Sequence, residues 1–266
     1  MSSTRTITTL AVALCSMATA SQAQGPSSSP PAHTAPHSSY WASYWHHGIA
    51  LAKSPLHWNT DHWVAAGSTL AITGIIVTMD EAVSQPFFNL TSPAGQQLGR
   101  MGNQVGGLPV QFGISGLALG IGTIAKNRPL QNFALDNFQA QAFTGGLTFA
   151  VKQLTRRARP LAGQGAYVWN GPFKGNSKSE SFFSGHTSLA FSTATMVYLH
   201  SKRQWWVALL AYGSATAVGL SRMQQQKHWA SDVVVGAVIG ATVSAFVYKQ
   251  QQKRRAAKAS PRPFVH

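Results

Sequence analysis

The 266-residue sequence has few acidic residues and a single cysteine. Lys and Arg number 21 against 6 Asp and Glu, which gives a formal net charge of +15, and only 10% of residues are charged. Metal sites built from clustered carboxylates are difficult to assemble from so few acids. An enzymatic site in this chain is therefore expected to act with cationic groups on an anionic substrate.

The single cysteine excludes an intrachain disulfide, because Cys15 has no second cysteine to pair with. It lies in a short apolar run that follows the positive charge of Arg5 and precedes a small-x-small pattern at 21–23. This pattern predicts a cleaved signal peptide over residues 1–23, the alternative being a membrane anchor, for which the run is short. We therefore expect an exported protein of the cell envelope, in the periplasm or on the periplasmic face of a membrane.

Segments of biased composition lie on either side of the central region. Residues 24–60 begin with a linker rich in Ser, Pro and Ala and continue into an aromatic N-terminal arm. The arm suits either a membrane interface or packing on the domain, and we favour packing. Residues 249–266 form a basic C-terminal tail, expected to be a solvated end, with binding to anionic lipid as the alternative.

The central residues 61–248 are expected to form the functional domain, and they show helical patterning without sustained strand alternation. Six helices are predicted, so the fold class is all-α, a six-helix bundle. Several of the helices are apolar on nearly all sides, as is typical of helices buried in a core or in lipid. The predicted ranges are Trp63–Met79, Val105–Ala125, Ala134–Leu154, Thr187–His200, Trp205–Leu220 and Ser231–Tyr248.

The sequence gives conflicting signals on whether these helices cross a membrane. Six crossings would place most basic loops on one side, which partly obeys the positive-inside rule. An exported N-terminus, however, gives the wrong parity for a six-span protein whose third loop faces outward. The mean hydropathy of −0.03 also argues against six full spans. We therefore favour an exported bundle that associates with a membrane.

A basic stretch follows the third predicted helix. Lys152 and Arg159 are seven residues apart, so two helical turns would place them on one face at a helix end. Pro160 disfavours helix at Arg159 and is expected to end the segment there. Cations at a helix C-terminus balance the macrodipole, which is the structural interpretation. The functional interpretation is an anion clamp, with Arg as a planar fork and Lys as a point charge.

A Ser-Gly-His sequence precedes the fourth predicted helix. Ser184 is predicted to be its N-cap, which is the purely structural role. The backbone N–H groups of Gly185 and His186 would then point outward at the positive end of the helix dipole. Such a helix start binds anions, and glycine allows a ligand to approach closely. His186 would stand beside the anion, able to donate a proton.

A third stretch places Arg222, His228 and Asp232 just before the last predicted helix. His228 and Asp232 are four residues apart, so both side chains would lie on one face of a helix beginning near His228. A carboxylate bonded to one imidazole nitrogen fixes the tautomer and leaves the other nitrogen free as a nucleophile. The ordinary role of Asp232, balancing the helix dipole, does not explain the His and Arg at fixed offsets from it.

In order, the three stretches form the pattern K-x6-RP, SGH and SR-x5-H-x3-D between Lys152 and Asp232. This pattern resembles the type 2 phosphatidic acid phosphatase and vanadium haloperoxidase superfamily, whose members are all-helical. One position departs from the family, because Phe183 stands where Pro usually precedes the Ser-Gly-His. The departure affects the expected rigidity of the loop rather than the catalytic groups.

The resemblance implies a metal-independent phosphatase that hydrolyses phosphate monoesters, with a lipid phosphate or pyrophosphate as the expected substrate. His228 would form a phosphohistidine, oriented by Asp232, and His186 would protonate the leaving group. Neither a metal nor another cofactor is expected, because cationic side chains take the neutralising role. The implied phosphate-binding residues are Lys152, Arg159, Ser184, Gly185 and Arg222.

Two other functions stay open at this point. One is a vanadate-dependent haloperoxidase, which rests on family analogy alone. The other is a non-catalytic protein that binds anions or a membrane surface. A pI of about 10.6 also suggests nucleic-acid binding, but export and the lack of a basic, aromatic-lined stretch argue against it.

Overall fold

The structure is a computed structural model that describes residues 40–259. In this range the regular secondary structure is helical. The residues outside the helices include one isolated antiparallel β-bridge, between Arg157 and Trp169. The all-α prediction is confirmed, whereas the predicted signal peptide and most of the linker lie outside the described residues. The α-helices of this range are α1 (Tyr40–Lys53), α2 (Thr60–Thr78), α3 (Asp80–Phe88), α4 (Pro93–Val105), α5 (Leu108–Ile124), α6 (Arg128–Thr155), α7 (Gly185–His200), α8 (Trp205–Gln224) and α9 (Ala230–Ala259).

All six predicted helices are present, and α1, α3 and α4 add to them. Helix α4 is not among the predicted helices because it is rich in Gly and Gln, although its Leu98, Met101 and Val105 follow helical spacing. Its start is set by Ser92, whose side chain accepts a hydrogen bond from the backbone N–H of Gly95 at 3.2 Å, and by Pro93 in the first turn. Local capping thus sets the start of a helix that has few apolar residues.

Helix α6 ends close to the predicted end at Leu154, and therefore before Arg159. It begins where the Asn127 side chain accepts a hydrogen bond from the backbone N–H of Leu130, and it ends at Thr155. Arg156 adopts a left-handed conformation with φ of 46°, and Arg159 is extended with φ of −78° and ψ of 154°. The prediction that Lys152 and Arg159 share a helical face is therefore wrong, because the chain leaves the helix between them.

Helices α7 and α9 touch through their backbones. A Cβ atom on Gly240 would lie 2.0 Å from the carbonyl oxygen of Ser188, and one on Gly236 would lie 2.7 Å from that of Ser184. Only glycine permits such an approach without displacing the facing helix. The contact brings the first turns of both helices together, and the Ser184 backbone N–H donates to the Asp232 carbonyl at 3.0 Å.

The interior of the bundle combines small apolar residues with paired polar ones. On the polar side, the Gln141 side chain donates to the Thr193 hydroxyl at 2.6 Å, and that hydroxyl donates to the Gln111 side chain at 2.7 Å. Small residues and hydrogen-bonded polar side chains allow helices to pack closely. The apolar clusters are Ala190, Ala194, Ala215 and Val218 between α7 and α8, and Ala140, Met196 and Val247 among α6, α7 and α9.

The chain divides into two compact units. One comprises residues 67–252 and contains α3 to α8 together with most of α2 and α9. The described part of the other comprises residues 40–66 and 253–259, which include α1, the start of α2 and the last turns of α9. Because α9 continues to Ala259, the first half of the predicted basic tail is helical. The packing of the aromatic arm on the domain stays a prediction.

One helix of the described range, α9, is long and apolar enough to cross a membrane. Two bent pairs meet the same criterion when each is taken as a single span. These pairs are α2 with α3, which meet at 63°, and α4 with α5, which meet at 54°. By length and composition, residues 40–259 thus hold between one and three candidate spans, fewer than six crossings would require.

Candidate active site

The three sequence stretches meet where α6 ends and where α7 and α9 begin. Backbone hydrogen bonds join each stretch to the other two, so loops that are distant in the sequence form one connected layer. These bonds run from Leu161 N to Gln226 O, from Ser181 N to Arg157 O and from Ser184 N to Asp232 O, each at 3.0 Å.

His228 is buried, with 3% of its surface exposed, and a backbone carbonyl sets its tautomer. Its Nδ1 atom lies 2.6 Å from the carbonyl oxygen of Ser181 and 3.8 Å from Oδ2 of Asp232. A carbonyl oxygen can only accept, so Nδ1 carries the proton and Nε2 keeps its lone pair. The sequence predicts a direct bond to Asp232 within one helix, but α9 begins at Ala230, two residues after His228.

Asp232 is fully buried, and both of its carboxylate oxygens accept hydrogen bonds. Oδ1 accepts from Nη1 of Arg157 at 2.7 Å. Oδ2 accepts from the Ser181 hydroxyl at 2.5 Å and from the backbone N–H of Trp229 at 2.9 Å. The carboxylate is therefore held in one orientation, with Oδ2 directed to the same side as the His228 ring.

Three cationic side chains lie close enough to affect one another's charge. Burial and the charge of Arg159 lower the pKa of Lys152 to about 8 and that of Arg222 to about 10, and burial lowers the pKa of Arg159 itself. An anion bound between these cations would offset both their mutual repulsion and the cost of burying their charges. The group therefore has the electrostatics of an anion site.

Hydrogen bonds from neighbouring residues hold two of these cations. Lys152 Nζ donates to the carbonyl oxygen of Glu180, and Arg222 Nη1 donates to Oδ1 of Asn103 at 2.9 Å and to Oε1 of Gln225 at 3.1 Å. Asn103 lies on α4, far from the motifs in the sequence. Residues outside the three stretches thus orient the cations.

The Ser-Gly-His sequence forms the start of α7, and the N-cap prediction is confirmed. The Ser184 hydroxyl oxygen accepts hydrogen bonds from the backbone N–H of Thr187 at 3.4 Å and from the Thr187 hydroxyl at 2.8 Å. A Cβ atom on Gly185 would lie 4.0 Å from Cε of Lys152. The positive end of the helix dipole and the lysine therefore lie side by side.

His186 is neutral at physiological pH in the unliganded protein. Burial, followed by the charges of Arg222 and Lys227, lowers the pKa of His186 to about 3. Lys227, which immediately precedes His228, is a cation that the sequence analysis did not single out. A bound anion would offset the positive field and raise the pKa of His186 towards its ordinary value.

Phe183, at the position of the family proline, is 2% exposed. Its ring lies 6.0 Å from that of Phe182, nearly at right angles. Buried aromatic contacts therefore hold this side of the Ser-Gly-His loop. They provide packing where a proline would restrict the backbone.

Sequence reasoning missed the buried residues that hold Asp232 in place. They include Arg157, which lies inside the basic stretch, and Asp80, which precedes the stretch by more than 70 residues. Residue type and spacing give no sign that these two meet, since no helical period relates them. Nor did the sequence identify the carbonyl of Ser181 as the partner of His228.

No group of three His, Cys, Asp or Glu side chains that could hold a metal ion occurs within residues 40–259. The acids near the site are engaged elsewhere. Asp232 and Asp80 both bind Arg157, and Glu180 pairs with Arg156 at 2.9 Å. The expectation of a site without metal or cofactor stays a prediction.

Two curated proteins resemble part of the chain. A lipid A 1-phosphatase from Porphyromonas gingivalis is 29% identical over 130 residues, which are 48% of this chain and 26% of that protein. The bacitracin transport permease protein BcrC of Bacillus licheniformis is 38% identical over 68 residues, which are 26% of this chain and 32% of that protein. The chain thus spans about a quarter to a third of the length of these relatives.

Two solved structures resemble the chain at low sequence identity. Aquifex aeolicus LpxE is 20% identical, with a TM-score of 0.47 over 64% of this chain and 95% of that one. A transmembrane PAP2 type phosphatidylglycerolphosphate phosphatase from Bacillus subtilis is 18% identical, with a TM-score of 0.49 over 74% of this chain and 98% of that one.

The family model of the PAP2 superfamily matches residues 134–256. This range includes all three stretches, from Lys152 to Asp232, together with α7, α8 and most of α6 and α9, which position them. The ordered motifs and the all-α fold agree with this match, which identifies residues 134–256 as a region of the PAP2 superfamily.

Proposed function

We propose that this protein is a phosphatase that hydrolyses lipid phosphates, with His228 as the nucleophile. The observation that carries the proposal is the convergence of Lys152, Arg159 and Arg222 beside an imidazole whose Nδ1 is occupied and whose Nε2 is free. A cationic pocket binds the phosphoryl group, and an unprotonated ring nitrogen can attack it.

In the proposed reaction the phosphoryl oxygens lie between the three cations and the backbone N–H groups at Gly185 and His186. Nε2 of His228 attacks phosphorus while the bond from phosphorus to the leaving oxygen breaks. The leaving alkoxide takes the proton of His186, and water then attacks the phosphohistidine, giving its proton to the neutral His186. Asp232 stabilises the positive charge that the His228 ring acquires when the nitrogen–phosphorus bond forms.

Substrate binding itself is proposed to prepare the acid. In the unliganded protein the pKa of His186 is about 3, so the side chain is not protonated near neutral pH. The negative charge of a bound phosphoryl group offsets the field of Arg222 and Lys227 and raises this pKa. His186 then holds a proton only when a substrate is present to accept it.

A lipid is the proposed carrier of the phosphate, and the cell envelope the proposed location. The first turns of α8 expose large apolar side chains that would suit a membrane surface. The lipid A 1-phosphatase relative is named for the same class of substrate, and residues 1–23 are proposed to direct export. The exposed side chains are Trp205, Trp206, Leu209 and Leu210, which are between 51% and 76% exposed.

The test is phosphate release by the purified full chain from dioleoyl phosphatidate in detergent micelles, with excess EDTA throughout. We expect turnover that EDTA leaves unchanged, and an acid-labile phosphoryl group on His228 when the reaction is quenched rapidly at alkaline pH. Soluble p-nitrophenyl phosphate serves as the non-lipid comparison and is expected to react more slowly.

Loss of turnover on chelation would overturn the metal-free scheme. Phosphate release without a phosphoryl group trapped on His228 would overturn the nucleophile assignment. Faster turnover of the soluble ester would overturn the assignment of a lipid substrate. Recovery of the protein in the soluble periplasmic fraction alone would contradict the membrane association.

A further inference from the structure

Arg157 lies between two carboxylates in the interior of the site. Its Nη1 atom donates to Oδ1 of Asp232 at 2.7 Å, and its Nη2 atom donates to Oδ2 of Asp80 at 2.6 Å. All three side chains are fully buried. Asp80 begins α3, so this network connects the N-terminal part of the bundle to the residue beside the His228 ring.

Ser231 closes the network from the start of α9. Its hydroxyl accepts from Arg157 Nη1 at 2.8 Å and donates to Oδ2 of Asp80 at 2.6 Å. Its backbone N–H donates to the other carboxylate oxygen of Asp80 at 2.8 Å. Asp80 therefore binds both the arginine and the backbone next to Asp232.

All five N–H groups of the Arg157 guanidinium have acceptors. Nε and Nη2 donate to the carbonyl oxygen of Ala166 at 3.0 and 2.8 Å, and the remaining donors bind Ser231 and the two aspartates. The guanidinium carbon also lies 4.9 Å from the ring centre of Trp169. No donor is left for a phosphate, so this arginine acts on other protein groups.

The charges in this network do not cancel. One guanidinium faces two carboxylates, so Asp80 shares the positive charge that would otherwise neutralise Asp232 alone. Asp232 thereby keeps negative charge 3.8 Å from the His228 ring, where positive charge develops during attack. Buried ion pairs contribute little net stability, because desolvation offsets their attraction.

We propose that Asp80 and Arg157 are positioning residues that hold Asp232 in place and maintain its charge beside His228. The proposal rests on the proposed function of His228 as the nucleophile. Neither residue touches the phosphoryl group. Both act through Asp232, so they set the rate of attack rather than the binding of substrate.

The test compares Asp80→Asn with Asp136→Asn, using dioleoyl phosphatidate in detergent micelles. Asp136 is also fully buried and binds His200 at 3.1 Å, so its replacement is a matched loss of a buried acid away from the site. Coupling within such hydrogen-bond networks changes rates by several-fold to about a hundredfold. We therefore expect Asp80→Asn to lower kcat by about tenfold. KM should stay within about twofold, and Asp136→Asn should leave kcat within about twofold.

A second readout does not require turnover. Ring ¹⁵N resonances of His228 report the hydrogen bond at Nδ1 and the charge around the ring. We expect Asp80→Asn to shift the His228 resonances and leave those of His200 in place, and Asp136→Asn to do the reverse. If Asp80→Asn does not fold, the smaller change Ser231→Ala should lower kcat by about threefold and also shift the His228 resonances.

Two results would overturn the proposal. The first is that the His228 ring resonances of Asp80→Asn or Ser231→Ala are the same as those of the wild type, whether or not the wild type is active. The other is a kcat loss in Asp80→Asn that Asp136→Asn matches, since the loss would then follow stability alone. Failure of the proposed function is distinguishable, because it appears as absent turnover in the wild type with the resonance shifts still present.

Discussion

Within residues 40–259 two His–Asp pairs occur, one in the candidate site and one outside it. His200 Nε2 lies 3.1 Å from Oδ2 of Asp136, whereas His228 Nδ1 lies 3.8 Å from Oδ2 of Asp232. Both aspartates are fully buried. Judged by distance alone, the pair outside the site has the better geometry.

The surroundings separate the two pairs. The His200 ring packs edge-on against Phe133 and Tyr248, with centroids 5.7 and 5.2 Å apart. His228 instead lies in a cationic pocket, and burial followed by the charge of Lys152 lowers the pKa of its ring to about 3. A histidine beside an aspartate is therefore not sufficient for catalysis. The distinguishing feature is a free ring nitrogen in a pocket of cationic side chains.

The strongest test of this difference replaces each histidine by alanine. His228→Ala should reduce phosphate release from dioleoyl phosphatidate by about 10³-fold or more, because the nucleophile is lost. His200→Ala should leave kcat within about twofold, since its ring takes no part in the reaction. Steady-state phosphate release at saturating substrate measures both effects.

Circular dichroism and thermal melting of both variants provide the control for folding. Near-normal turnover by folded His228→Ala would remove this residue from the mechanism. A large loss in folded His200→Ala would show that the second pair takes part as well.

A smaller loss of kcat is expected when the aspartates are replaced by asparagine. Asp232→Asn should lower kcat by about 10²-fold, because the positive charge on the phosphorylated ring loses its counter-charge. The loss should be smaller than that of His228→Ala, because the Ser181 carbonyl still accepts from Nδ1. Inhibition by inorganic phosphate should change by less than about twofold, since the cations are untouched.

Asp136→Asn is the matched comparison for this aspartate as well. Equal kcat losses in the two variants would contradict the distinction between the pairs. A large rise in the inhibition constant for phosphate in Asp232→Asn would instead assign Asp232 to substrate binding.

The smallest effect concerns stability and pH. The pKa of His228 is about 3 in the folded protein and about 6.5 when unfolded, so the unfolded chain binds more protons between these values. The free energy of unfolding should therefore fall as pH decreases from about 6.5 towards 3, with a contribution from His228 of up to about 1.4 kcal/mol per pH unit. Above pH 7 the ring is neutral in both states, so His228 adds no pH dependence there.

Urea unfolding of the wild type and of His228→Gln between pH 7.5 and 4 measures this slope. The variant should lose less stability per pH unit than the wild type, because glutamine does not titrate. Identical slopes would show that His228 is not held neutral in the folded protein.

Much of the site could be predicted from the sequence because its groups are set by local order. Ser184 caps α7 as its position before an apolar helix indicates, and the His186 and Gly185 amides follow from that cap. The six long helices follow from hydrophobic patterning. Where the chain leaves regular structure, the same reasoning was incomplete. Arg159 is extended, as Pro160 predicts, but the left-handed conformation of Arg156 that separates it from the helix was not predicted.

The supporting residues could not be predicted, because their contacts join distant parts of the chain. Arg157 meets Asp80 across 77 residues and Asp232 across 75. Asn103 reaches Arg222 across 119 residues. No periodicity relates such positions, and polar residues at single sites are ordinary in any sequence. Burial, which makes these contacts strong, arises only when the helices pack.

An acid-poor, helical chain with three ordered motifs can be recognised without coordinates, because composition, helix caps and apolar spacing act locally. Packing is what selects the histidine that faces the cationic side chains, the carbonyl that sets its tautomer, and the arginine that supports Asp232. Those outcomes depend on desolvation and on distances of a few ångströms between segments, and both exist only once α6, α7 and α9 have packed together.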